Sequence, residues 1–144
     1  MSNATHIDKT SADAIAIAFD YQYYYFLSKL FSLEDGQSVG LEVKDDVHTE
    51  LNNNIQLLIQ LKHSIQNTSS GNPINLTTFD SDLWHTLYNW CEVITDKEDG
   101  RSKINEQIKF VEETYFLLVS NKSYWIIVLD FRGIIHGVEW KIFI

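Results

Sequence analysis

Cysteine and proline each occur once in 144 residues, and no apolar run approaches the roughly 18 residues needed to cross a bilayer. The longest good candidate, Tyr124 to Leu129, is far too short. A lone Cys91 excludes an internal disulfide, and its place inside an amphipathic helical pattern suits a reducing compartment. The opening "MSNATHIDKTSADA" lacks both the basic start and the apolar stretch of a secretory signal, so residues 1–11 read as a flexible, solvated arm and the expected location is the cytoplasm. Histidines 6, 48, 63, 85 and 136 show no paired zinc spacing. A Gly-rich phosphate loop is also missing, which ranks a small-molecule-binding α/β domain last among the functional readings. Basic residues are scarce: 11 Lys and Arg against 20 Asp and Glu leave a formal charge of −9. That balance argues against general affinity for a nucleic-acid backbone, which clustered cations drive, so any such contact must be local. Residues 1–64 carry only Lys9, Lys29, Lys44 and Lys62 against nine acids, a surplus that a cation site tolerates.

What is present is the material of one ordinary globular domain, 44% hydrophobic and 22% charged. Phe19, Tyr23, Phe26, Leu27 and Leu30 recur at three- and four-residue steps, predicting a helix from Ala12 to Phe31 with those positions buried. "SVGLEVKDDV" alternates Val39, Leu41 and Val43 with Gly40, Glu42, Lys44 and Asp46, the period of a strand. "LNNN" reads as a turn, and "IQLLIQLKHS" as a second strand with Gln56, Leu58, Gln60, Lys62 and Ser64 on one face. Asp82 or Ser81 can cap a following helix through "LWHTLYNWCEVI", whose apolar stripe is Leu83, Leu87, Trp90, Cys91 and Ile94. Trp84 and Trp90 are expected as core residues or a signature of the fold rather than a DNA-stacking platform, and Cys91 as buried and inert. A charged loop, a helix from Ile104 to Glu113 and a buried strand "TYFLLVSN" complete the pattern, placing the domain at 12–122. Residues 123–144 form an atypical tail that ends on an apolar residue, with truncation and frameshift as the two readings of it.

If the two strands are neighbours, their polar faces bring an acid, an amide and a lysine into one cleft. That combination suits metal-assisted attack on a phosphodiester: the acid and the amide oxygen ligate a hard cation, while the lysine orients water and offsets phosphate charge. Gln60 and Lys62 share a face, but Glu42 and Asp46 lie four residues apart, about 13 Å along a regular strand. Both ligate one ion only if the chain bends, so Asp46 is the main expected ligand and Glu42 the secondary one. The plainer reading is that such alternation marks a solvent face. Asp45 is expected to point away from Asp46 as a structural or helper charge, and His63 to turn away from Lys62.

The run "DDV" followed by "QLKHS" and "DLWHTLYNW", after a helix containing "FDYQ", resembles the double-strand DNA endonuclease domain of bacterial anti-phage systems, a branch of the PD-(D/E)xK superfamily. The resemblance spans roughly Phe19 to Asn121. It implies an α/β fold with a restriction-endonuclease-like α-β-β-β-α-β core, a mixed sheet flanked by helices, provided that Ser38 to Glu50 supplies two strands. By position it implies Asp46 as the metal-binding acid, Gln60 and Lys62 as the (D/E)xK element with glutamine replacing an acid, and the Leu61 carbonyl as a further ligand. Gln22 matches the family's helix glutamine, placed to orient a phosphate or metal-bound water. The implied cofactor is Mg²⁺, with Mn²⁺ able to substitute. The implied partners are double-stranded DNA and a sensor domain or ATPase subunit of a defence operon, with a homodimer suited to cutting two strands. The rival class is a catalytically silent or truncated module that keeps the fold for protein–protein interaction.

Overall fold

The computed structural model describes residues 12–63, 69–71, 77, 79–121 and 126–129. Helix α1 (Ala12–Leu30) leads into strands β1 (Ser38–Leu41), β2 (Val47–Glu50) and β3 (Gln56–Lys62); then come helices α2 (Ser81–Ile94) and α3 (Ile104–Glu113), and strands β4 (Thr114–Ser120) and β5 (Ile126–Leu129). The segment read as one alternating strand is two, β1 and β2, folded on each other. Glu42 makes the break: it adopts φ 54°, uncommon for a residue with a side chain, and its N–H donates to the Asp46 carbonyl at 3.0 Å. "LNNN" forms a short 3-10 turn in which Asn53 and Asn54 take positive φ, a conformation asparagine tolerates better than most residues.

The five strands lie in the order β1-β2-β3-β4-β5. The first three form an antiparallel meander, β4 runs parallel to β3, and β5 returns antiparallel to β4. A parallel neighbour needs a long crossover, which α2 and α3 supply. β5 falls within the segment read as a tail; the rest of that segment and the arm 1–11 lie outside the described residues.

Both faces of the sheet are covered, which explains the nearly continuous apolar content of β3 and β4. Leu58, Phe116 and Leu118 face α2 and α3, packing with Trp90 and Val111. Val47, Ile59, Leu61 and Val119 face the other way, against Tyr21, Tyr25 and Phe26 of α1. Leu58, Ile59, Phe116 and Leu118 are fully buried, each worth about 1.5–3 kcal/mol. Trp90 and Phe116 meet at 5.3 Å between ring centroids, adding about 0.5–1.5 kcal/mol.

Three packing expectations are corrected. On α1, Phe19, Tyr23 and Leu30 are exposed and Tyr21 and Tyr25 face the core instead, because a helix apolar on every side carries more than one stripe at the same spacing. On α2, Leu83, Leu87, Trp90 and Ile94 pack as expected, but Cys91 is exposed and Trp84 is 59% exposed, both rotated off the stripe centred on Thr86, Trp90 and Val93. The cap of α2 is Asp80, whose carboxylate accepts the Asp82 N–H at 2.9 Å. Its other end is closed by Arg101, which donates to the Val93 carbonyl at 2.8 Å and lies 4.2 Å over the Phe110 ring. Among the described residues no helix is long and apolar enough to cross a membrane.

Candidate functional site

The register Val47↔Ile59 continues one step to set Asp46 opposite Gln60, on the α2 face of the sheet. Their side chains meet. Asp46 Oδ2 accepts hydrogen bonds from Gln60 Nε2 and from the Leu61 N–H, the latter at 2.7 Å. A strand residue directs its N–H and C=O to the same flank, so the Leu61 carbonyl also looks toward β2 and Asp46. The next carbonyl along, that of Lys62, turns the other way and accepts the Asn121 N–H. Asp46 Oδ1 accepts nothing from the described residues.

Asp45 does not point idly away. Its Oδ1 accepts the Asp46 N–H at 2.9 Å and its Oδ2 accepts the Trp90 indole N–H at 2.9 Å. Burial pushes this carboxyl above the usual range and the Asp46 charge adds to that; the two hydrogen bonds and the Lys62 ammonium oppose it. Lys62 therefore lies close enough to Asp45 for its charge to be felt, on the same face as Gln60 by strand alternation. His63 turns to the opposite face, its ring 5.2 Å from that of Tyr21.

The turn between β1 and β2 folds back over the same face. Lys44 Nζ donates to Glu50 Oε1 at 2.7 Å and to Gln56 Oε1 at 3.2 Å. Ser38 Oγ also donates to Glu50, and together these donors hold the Glu50 carboxyl below its ordinary value. The His48 imidazole is pushed the other way, below its usual pKa, first by burial and then by Lys44.

The predicted residues are thus brought together unequally. Asp46, Gln60 and Leu61 are in direct contact, with Lys62 adjoining through Asp45. Glu42 is drawn to Asp46 through its backbone, while its side chain is exposed. Gln22 is half-buried on α1, which covers the other sheet face, and it is not brought into contact with Asp46, Gln60 or Leu61 among the described residues. The Asp45–Trp90 link went unread because no periodicity relates a turn residue to a helix 45 positions away.

For a hard cation, the donor set of one carboxylate with an open oxygen, one amide and one carbonyl on the same flank is chemically suitable, once the Gln60 amide turns its oxygen rather than its NH₂ toward Asp46. Among the described residues no group of three His, Cys, Asp or Glu side chains gathers around one point. Compared with family models, curated proteins and solved structures, the chain has no significant match in any of the three.

Proposed function

We propose that this chain is a metal-dependent double-stranded DNA endonuclease domain, with a restriction-endonuclease-like α-β-β-β-α-β core, serving as a cytoplasmic anti-phage effector. The observation that carries the reading is the convergence of Asp46, Gln60 and the Leu61 backbone at the end of β3, with Lys62 on the same face. Asp46, the Gln60 amide oxygen and the Leu61 carbonyl would hold Mg²⁺ or Mn²⁺, with Glu42 as a secondary ligand. The ion would supply Lewis-acid activation of the phosphodiester when bound. Lys62 offsets charge developing on the phosphate and orients the attacking water, and Gln22 reaches the phosphate round the end of β3. Substrate is duplex DNA; a sensor domain or ATPase would control the site, and a second copy would serve the second strand.

A second reading, a silent nuclease fold used for protein–protein interaction, has its own support. Asp46 Oδ2 is already satisfied internally, and α1 exposes Phe19, Tyr23, Tyr24 and Leu30, with Phe31 just beyond it. Large exposed apolar surfaces of this kind mark interaction sites.

The deciding experiment incubates duplex DNA with the protein and Mg²⁺ or Mn²⁺ at low salt and follows cation binding by calorimetry. Lys62→Ala should cut cleavage about 10²–10³-fold while the ion still binds. Asp46→Ala should abolish both. A folded wild-type chain that neither cleaves nor binds the ion would transfer the case to the interaction module.

A further inference from the structure

Asp45 uses both oxygens at once. One accepts the N–H of the residue that carries the candidate ligand, and the other accepts the indole N–H of Trp90, a ring locked in the core against Phe116. The turn from Glu42 to Asp46 has no strand pairing of its own beyond the Glu42 N–H to Asp46 carbonyl bond. Apart from the bonds of Asp46 itself to Gln60 and the Leu61 N–H, its grip on the rest of the fold comes from two side chains: Lys44, bonded to the exposed Glu50 and to Gln56, and Asp45, bonded to buried Trp90. The first is a screened surface contact of little net worth. The second is charge-assisted and sheltered, hence roughly twice as strong as a neutral bond.

We infer that Asp45 is a positioning residue, which with Trp90 fixes the Asp46 backbone so that the Asp46 carboxylate sits against Gln60 and Leu61. The catalytic consequence rests on the nuclease reading; the anchoring itself does not. Tethering by groups behind the ligands is a general requirement of cation sites, and its loss typically costs 10–100-fold in metal affinity or activity.

Asparagine at position 45 keeps the shape but has one acceptor oxygen, so it cannot accept from both Asp46 and Trp90. Phenylalanine at position 90 keeps a core aromatic and removes only the donor. The test therefore uses the full chain with Asp45→Asn, Trp90→Phe, the double variant, and Trp84→Phe on the exposed side of α2 as control. Three quantities are followed: amide hydrogen exchange at Asp46 by NMR, Mn²⁺ affinity by calorimetry, and kcat and KM on duplex DNA.

Both single variants should lose Asp46 amide protection by at least about tenfold and weaken Mn²⁺ binding by about 10–100-fold. Cleavage should fall in kcat with KM for DNA unchanged, and the double variant should be no worse than the poorer single one, the mark of two groups acting as a unit. Trp84→Phe should match wild type. Asp46 protection and Mn²⁺ affinity unchanged in folded Asp45→Asn and Trp90→Phe would overturn the inference. A wild-type chain that neither cleaves nor binds Mn²⁺, yet loses Asp46 protection in both variants, would sink the nuclease reading and uphold the anchoring.

Discussion

The imidazole of His48 lies flat over Gly40 of the neighbouring strand: a Cβ added at Gly40 would sit 2.1 Å from His48 Cε1. The two are register partners in the β1–β2 pair, and His48 is itself buried, so a side chain at position 40 must displace a packed ring. Gly40→Ala should therefore destabilise the fold by about 1–3 kcal/mol, the usual cost of overpacking. In a His48→Ala background the same change should cost far less, because the obstacle is gone. Urea denaturation of the two single variants and the double one measures this; additive losses would show that the glycine serves backbone conformation rather than the ring.

His48 also makes stability depend on pH with a definite sign. Burial and the nearby Lys44 depress its folded pKa below the ordinary 6.5, while Glu50 opposes them weakly. The unfolded chain then binds the proton more readily, so stability should be complete above about pH 6.5 and decline as pH falls through the window down to the depressed folded value. Its Nδ1 is buried without a partner, so protonation gains no waiting acceptor there. His48→Gln should remove this slope below about pH 6.5, read from chemical denaturation at several pH values. A slope that persists unchanged would assign the titration to another group. Asp45 works in the opposite direction: burial raises its folded pKa, so acidification from that raised value down to the ordinary carboxylate range is stabilising.

How much of this was legible in the sequence depended on whether an element's period pointed to one face. The faces of β3 were readable because Leu58, Gln60 and Lys62 alternate with Ile59 and Leu61, and a period of two admits only one partition. α1 was misread because aromatics at 19, 21, 23, 24, 25 and 26 populate every side, and only the position of the sheet decides that Tyr25 goes in and Tyr23 stays out. Contact between Asp46 and Gln60 followed from pairing two strands, a local event. The tie from Asp45 to Trp90 joins the β1–β2 turn to a helix of the crossover and leaves no spacing signal. The break at Glu42 was equally silent, since a positive φ at glutamate has no residue signature of the kind glycine provides.

The α1 assignment has a direct mutational test. Tyr25→Ala removes a partly buried ring packed against the cluster of Val47, Ile59, Leu61 and Val119 and should cost about 1–3 kcal/mol, more than a surface change does. Tyr24 is 69% exposed and Phe31 84%, so Tyr24→Ala and Phe31→Ser should stay within about 0.5 kcal/mol. Thermal denaturation of the three variants suffices. Comparable losses for Tyr24 and Tyr25 would mean that the exposed row is covered in solution, which would strengthen the interaction-module reading.

Gln60→Glu probes the candidate cation site from its least expected member. In the structure the Gln60 NH₂ donates to Asp46 Oδ2. Replacing it with a carboxylate deletes that donor and sets two negative charges against each other, with only the Leu61 N–H left on Asp46. Near pH 7.5 and without divalent ions the variant should therefore be less stable than wild type by about 1–3 kcal/mol. A bound cation reverses the sign of the interaction, because both carboxylates become ligands. Mg²⁺ should then stabilise the variant more than wild type; at a hundred times the variant's dissociation constant the variant itself gains about 2.7 kcal/mol. Melting curves with and without Mg²⁺, and with NaCl matched for ionic strength, separate specific binding from screening. A variant as stable as wild type in chelator would show that the Gln60 bond contributes nothing to the turn. A melting temperature indifferent to Mg²⁺ in both proteins would mean that the end of β3 does not hold the ion at all.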